Sequence, residues 1–282
     1  MCRILVGFMS GEFARKELSN VIEDFIESSH KDPYLAELTR GHRESHDDGW
    51  GLAVAGVRKG LMTIFYEKSA LPIFSDVSRE LLRVFVSKLS RYDELYILLH
   101  SRATGTEPLG TGNAHPYEVN FKLGKIWFIH NGSIDKLRAS REAGMDPHIH
   151  VDSRIAAELL AKYLSSCAES CEDLDRCVAA AYEKLYDEYT HEGDALITGL
   201  LSYCGGNDVR LYATSLVRGY ETMDEARKTY YTVYRVWGGG YNVMSSSTLV
   251  DHYMRLRDFN KAIQQQKVLK IGRESVETLL SL

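Results

Sequence analysis

Five groups of residues have the types and spacing to do chemistry. The first is Cys2, which follows the initiator Met. Removal of Met1, which a small second residue permits, would leave a free α-amino group beside a thiol. Such an amine has an ordinary pKa of about 7.7–8.0, so it can act as a base at neutral pH. No His lies in the first apolar run to take that part. The bland alternative is a cysteine buried in an edge strand. The second group is His100-Ser101-Arg102, at the end of a strongly apolar run. A guanidinium there can grip a carboxylate through two parallel hydrogen bonds, or simply join a surface ion pair. The third is His130-Asn131-Gly132, where a side-chain amide and a backbone N–H can point together at a developing oxyanion. An Asn-Gly pair is equally an ordinary turn. The fourth is Asp152 in HVDSRIAAELL, at the start of a helical pattern. It can receive an ammonium group or cap the helix, and Ser153 is available to take over the cap. The fifth is His46-Asp47-Asp48-Gly49-Trp50-Gly51, whose carboxylates suggest a metal and whose glycines suggest close backbone approach. His148-x-His150 raises the metal question again, as alternate residues of a strand. Neither has ligand spacing such as HExxH or paired CxxC, so no metal site and no cofactor are expected.

The elements that must hold these residues follow from periodicity. Residues 2–9 (CRILVGFM) read as a buried strand, and Leu18, Val21, Ile22, Phe25 and Ile26 follow helical spacing. GWGLAVAG (49–56) and LMTIFYE (61–67) read as a hairpin around Arg58, Lys59 and Gly60. Val77, Leu81, Phe85 and Leu89 form a helical stripe, ELYILLHSR (94–102) a strand, and FKLGKIWFIH (121–130) a strand ending in the Asn131-Gly132 turn. Two helices follow, on Ile155, Leu159 and Tyr163, and on Leu174, Val178, Ala181 and Leu185. Strand-like runs at 194–203, 208–217, 229–237 and 241–244 come next, then a short polar helix near the C-terminus. Strands, two consecutive helices, and strands again do not suit a doubly wound sheet. Two mostly antiparallel sheets packed face to face, with helices outside, suit the order better.

Composition sets the outer limits. The chain has 282 residues, a net charge of -5, and 44% hydrophobic and 26% charged residues, an ordinary profile for a soluble globular protein. Only five Pro residues occur and no linker-like tract breaks the chain, so residues 1–282 are expected to form a single domain. No basic stripe is present, which argues against nucleic acid. No apolar run approaches the roughly 18 residues a membrane span needs, and no secretory leader is recognisable. The chain is therefore expected to be cytoplasmic. Its cysteines, Cys2, Cys167, Cys171, Cys177 and Cys204, are odd in number and clustered, which fits reduced thiols in a reducing compartment. Cys167 and Cys171 lie four apart, as on one helix face, and read as small core residues.

Taken in order, an N-terminal MC-, DGWG, HSR at a strand end, HNGSID and a V-D-S helix start resemble the class II glutamine amidotransferases, which are N-terminal nucleophile hydrolases. The likeness is greatest to the stand-alone branch that carries DGWG and includes γ-glutamyl amidohydrolases. It runs from Cys2 to about Asp152, and more loosely to YNVMSSSTL (241–249). The resemblance implies an α+β fold, the four-layer αββα sandwich. It implies Cys2 as nucleophile with its α-amino group as base, and Asn131 and Gly132 as the oxyanion hole. Arg102 would hold the α-carboxylate of glutamine, and Asp152 its α-ammonium. The family usually carries one more residue between the Arg and Ala-Thr, whereas Ala103-Thr104 follows Arg102 directly. The expected reaction releases ammonia from the glutamine side chain through a γ-glutamyl thioester, for solvent or for a synthase subunit acting in trans. The alternatives are an amidohydrolase of γ-glutamyl conjugates and a catalytically silent glutamine-binding subunit that retains Met1.

Overall fold

The apolar run at the start of the chain forms strand β1 (Cys2–Ser10), buried on both faces as far as Met9. Burial on both faces demands a layer above and a layer below, and the rest of the chain supplies them. The computed structural model describes residues 2–105, 107–206, 208–273 and 275–282. β1 is a central strand, paired with β4 (Glu94–Arg102) on one side and β10 (Tyr241–Ser246) on the other. With β2 (Trp50–Arg58), β3 (Leu61–Ser69), β9 (Val233–Gly238) and β11 (Asn260–Gln264) they form a sheet ordered β11-β9-β10-β1-β4-β2-β3. The second sheet contains β5 (Tyr117–Phe121), β6 (Gly124–Gly132), β7 (Ala195–Cys204), β8 (Asp208–Val217), β12 (Lys267–Ile271) and β13 (Val276–Ser281). Its order is β13-β12-β8-β7-β6-β5, and the described strand pairs of both sheets are antiparallel.

Helices close the two outer faces. Helices α1 (Gly11–His30) and α3 (Asp76–Leu89) bury Leu18, Phe25 and Leu82 against Leu5, Val54 and Leu99 of the first sheet. Helices α4 (Lys136–Ala143), α5 (Asp152–Cys167) and α6 (Leu174–Tyr189) cover the second, where Leu159, Val178 and Leu185 meet Phe128, Leu200 and Leu216. Ile4, Val6, Ile129, Ile197 and Leu201 fill the space between the sheets. The fold is α+β, a four-layer αββα sandwich, as the pattern of elements predicts. Two short helices, α2 (Pro33–Leu38) and α7 (Glu225–Tyr231), meet beside the start of β1 through Leu35 and Tyr230.

Several local expectations are overturned. The strand expected over 121–130 is two strands, because the chain reverses between Phe121 and Gly124. A Cβ on Gly124 would lie 2.0 Å from the Tyr203 carbonyl, so only glycine allows that approach. Asn131-Gly132 is then no hairpin turn but the paired end of β6, opposite Ile197 and Leu196. The polar C-terminal helix is replaced by β11, β12 and β13. In KVLKI, Val268 is buried under the helical layer and Leu269 and Ile271 between the sheets, a strand pattern too short to stand out in sequence. On α3 Leu89 is buried and Leu81 and Phe85 pack partly buried against the core as expected, but Leu82 is also buried and Val77 is 66% exposed.

The cysteines also differ from expectation. Cys167 is bonded to Cys177, and Cys171 to Cys204. Sharing a helix face required one helix through both Cys167 and Cys171, but α5 stops at Cys167 and the chain folds back into α6. That reversal sets Cys177 across from Cys167 and lays Cys171 on the end of β7, with Cα separations of 5.7 and 5.8 Å. Such spacings suit a bridge. Cys2 is the free cysteine, and it is buried.

Candidate active site

Register builds the site. β1 begins at Cys2 and β4 ends at Arg102, and the two residues pair directly, with Ile4 opposite His100. Alternation puts Cys2 on the side of Ile4 and Val6, which face the second sheet. Directly paired residues share a face, so His100 and Arg102 point the same way. From the second sheet, β6 brings the Asn131 side chain to meet Cys2: the Cys2 backbone N–H donates to Asn131 Oδ1 at 2.8 Å. That bond sets the orientation of the amide and leaves its NH2 as the remaining donor group. Gly132 has a φ of +152°, and a Cβ there would lie 1.8 Å from the Ala195 carbonyl oxygen, so no other residue fits. Behind Cys2, the Tyr230 hydroxyl donates to the Cys2 carbonyl at 3.2 Å. A cavity of about 280 Å³ opens here, lined by Cys2, Arg102, His115, Gly132, Asp152 and Ser153 among others.

Electrostatics at Cys2 favour the thiolate. Burial pushes the thiol up, but the amino-terminal charge, which with Met1 in place belongs to Met1, together with His100 and the Ala103 backbone outweighs it and brings it down to about 5. His115, which the sequence reading passed over, is 2% exposed and held neutral, well below the usual histidine range, by burial and by His100, His130 and Arg102. Its ring lies against that of His100, tilted by 30° at 4.0 Å between centroids.

Arg102 and its loop are clamped by the segment around DGWG. The Arg102 N–H donates to the Gly49 carbonyl at 2.8 Å, and its own carbonyl accepts from the Asp48 N–H at 3.0 Å. Asp48 Oδ2 accepts from the Thr104 N–H at 2.7 Å and from Arg43 at 2.6 Å, while Arg43 Nη1 donates to the Thr104 carbonyl at 2.6 Å. The Thr104 hydroxyl accepts from the Glu107 N–H at 3.2 Å. Asp47 and Asp48 therefore serve an arginine, and His46 is buried elsewhere. The glycines do make close approaches: a Cβ on Gly51 would lie 2.2 Å from the His115 carbonyl, and one on Gly49 2.7 Å from the Ser69 carbonyl. Arg102 Nη1 donates to the Pro108 carbonyl at 3.0 Å.

Asp152 is the first residue of α5, where a carboxylate is favoured by the helix dipole. The N-cap is Val151, which has no side-chain cap bond, so neither Asp152 nor Ser153 caps in the expected way. Asp152 Oδ1 instead accepts from the Ser153 N–H at 2.6 Å, and Ser153 Oγ meets His130 Nδ1 at 2.9 Å. His148 and His150 lie in a turn over 146–150 rather than on a strand.

A second buried network holds β1 from behind. Asp32, fully buried, accepts from Arg3 Nε at 2.5 Å, from Thr248 Oγ1 at 2.7 Å and from the Tyr34 and Leu35 N–H groups, and meets His46 Nε2 at 2.7 Å. Burial alone would raise its pKa, but Arg3 and His46 hold it well below the usual carboxylate range. The Arg3 guanidinium lies 4.2 Å from the Tyr230 ring centre. The Ser-rich end of β10 reinforces the same strand, with Ser246 Oγ accepting from the Ile4 N–H at 3.1 Å and Ser245 Oγ donating to the Ile4 carbonyl at 2.9 Å. Sequence reasoning missed His115 and Tyr230 as neighbours of Cys2, and Asp32 as the partner of Arg3. Only a buried His before a Pro, in NAHPY, offered a signal.

The family described as class-II glutamine amidotransferases matches residues 35–213, a span that contains Arg102, Asn131, Gly132 and Asp152 but begins after Cys2. Among solved structures the chain is similar to the crystal structure of a predicted glutamine amidotransferase from Pseudomonas aeruginosa PA01, at 13% identity and a TM-score of 0.42, covering 98% of this chain and 95% of that one. No curated protein matches the chain.

Proposed function

Because the chain belongs to the class-II glutamine amidotransferases, we propose that it releases ammonia from the side-chain amide of glutamine, or an amine from a close γ-glutamyl compound, with Cys2 as nucleophile. The observation that carries the reading is the meeting of Cys2, Arg102, Gly132 and Asp152 at one cavity, with Asn131 bonded to the Cys2 nitrogen and the thiol brought down to about 5. With Met1 removed, the Cys2 sulfur attacks the amide carbon and the α-amino group handles the proton. The Asn131 amide and the Gly132 N–H donate to the oxyanion that forms. The C–N bond breaks, ammonia leaves, and a γ-glutamyl thioester remains on Cys2. Water then cleaves the thioester to give glutamate and the free thiol. Ammonia passes to solvent or to an acceptor subunit in trans. The same reading treats residues 1–282 as one amidotransferase domain. A panel of glutamine and γ-glutamyl amides assayed for free glutamate tests it, and release from none of them would reject it.

Substrate recognition in this proposal rests on opposite charges at the cavity wall. Arg102 holds the α-carboxylate and Asp152 the α-ammonium. Arg102→Lys keeps the charge but loses the two-pronged grip, and Asp152→Asn removes the anion. Each is expected to raise the KM for glutamine by about tenfold or more, the worth of a charged hydrogen bond. Unchanged kinetics in both variants would take the pair out of the site.

Among the described residues no helix is long and apolar enough to cross a membrane. The proposed compartment is the cytoplasm, and the two disulfides supply its test. Thiol counting on protein taken directly from cells should find the four cysteines reduced, whereas intact bonds would place the chain in an oxidising compartment.

A further inference from the structure

His100 has no part in the mechanism above, yet its position is tightly determined. Its Nε2 meets the His130 carbonyl oxygen across the gap between the sheets at 3.1 Å. A carbonyl only accepts, so Nε2 carries the hydrogen and, in the neutral ring, Nδ1 carries a lone pair. That Nδ1 is buried and has no hydrogen-bond partner among the described residues. The ring of His115, tilted against it at 4.0 Å between centroids, stops the imidazole from swinging away.

Register decides what Nδ1 can reach. Cys2 pairs with Arg102 and Ile4 pairs with His100, so Cys2 and His100 are diagonal neighbours on the inward face. Diagonal neighbours are within reach of each other when one side chain is long or aromatic. The groups that face His100 are Cys2 from β1, Arg102 from its own strand, and His130 from β6. His115, just before β5, lies against it, Tyr117 of β5 lies against His115 in turn, and Asp152 lines the same cavity from the start of α5. The Cys2 thiol, which meets the Ala103 carbonyl at 3.9 Å, is the acidic group that this register sets diagonal to that acceptor. The lowered thiol agrees, since His100 is among the groups that bring it down.

We propose that His100 Nδ1 takes the proton of the Cys2 thiol, so that the resting nucleophile is a thiolate paired with an imidazolium. The S–H bond breaks, an Nδ1–H bond forms, and Nε2–H stays on the His130 carbonyl. This rests on the reading of Cys2 as nucleophile and changes the part of the α-amino group. An amine with a pKa of about 7.7–8.0 is mostly protonated at neutral pH. It is thereby suited to give its proton to the departing amine as the C–N bond breaks, and to recover one from the water that cleaves the thioester. The imidazolium remains beside the sulfur throughout.

The test is the pH dependence of Cys2 alkylation by iodoacetamide in the full chain, with the label located by mass. Wild type, His100→Phe and His100→Gln are compared, each with Met1 removed and with Met1 retained. The wild-type midpoint should lie well below the ordinary thiol value in both forms. Both variants should move it up by about two units, so that labelling at pH 6 falls roughly tenfold. A purely structural role would change thermal stability and labelling at every pH without moving the midpoint. If His100→Phe does not fold, His100→Gln reads the same quantity, because its amide cannot take the thiol proton. A midpoint unmoved in a folded variant, or one set only by Met1 removal, overturns the proposal. A midpoint that moves in a chain releasing no glutamate from any substrate keeps the ion pair and rejects the reaction. Glutamate release with an unmoved midpoint does the reverse.

Discussion

Cys2→Ala is expected to leave a folded chain that releases no measurable glutamate from glutamine. The fold should survive because the bonds that anchor this end of β1 are made by its backbone. The Cys2 N–H still reaches Asn131 Oδ1 and the Cys2 carbonyl still accepts from Tyr230. What disappears is the sulfur, and with it the thioester. Loss of a covalent nucleophile costs about four orders of magnitude or more in turnover, while binding contacts remain. Arg102 and Asp152 are untouched, so the variant should still bind glutamine, which calorimetry can read. Residual turnover within tenfold of wild type would mean that another group attacks the amide. None of the four other cysteines lines the cavity, so none of them offers a thiol in its place.

Asn131→Ala is expected to lower turnover by about a hundred-fold or more, with a smaller change in KM. Asn131 has two ends in two tasks. Its oxygen accepts from the Cys2 nitrogen at 2.8 Å, and its NH2 is the proposed donor to the oxyanion. Asn131→Asp separates them. The carboxylate keeps an oxygen for the Cys2 nitrogen but sets a negative charge where the oxyanion must form. The Asp variant should therefore be at least as slow as the Ala variant. Near wild-type turnover in Asn131→Asp would show that Asn131 serves only to orient the amine. A variant whose sole defect is weak binding would place its contact in the ground state.

What was legible in the sequence was the part written in local periodicity. β1, α1, β4, α5 and α6 each carry a long, uniform apolar pattern, and the order of elements sufficed for a two-sheet sandwich. Lys59 and Gly60 both take positive φ, as the hairpin signal around them requires. Long-range pairing was not legible. That Cys2 faces Arg102, or that β6 arrives from the other sheet to hold the Cys2 nitrogen, depends on register between strands far apart in sequence. Asn131-Gly132 carries an ordinary turn signal, yet the backbone there is strand held open for the Ala195 carbonyl. The carboxylates of DGWG and its flank resemble a metal set locally, and only the fold reveals that Arg43 and Thr104 occupy them. The disulfides escaped for the same reason, since Cys204 is 33 residues from its partner and reaches it only through the packing of β7 against the helical layer.

The central claim is that activity needs Cys2 as a free amino terminus, and one paired measurement tests it. Two preparations of the same chain are compared by intact mass and by glutamate release from glutamine, one with Met1 removed and one with a blocking residue that retains it. The account predicts that the processed chain alone releases glutamate, although both are folded and both carry the thiol. Full activity in the chain whose mass still includes Met1 would contradict the N-terminal nucleophile mechanism for this protein.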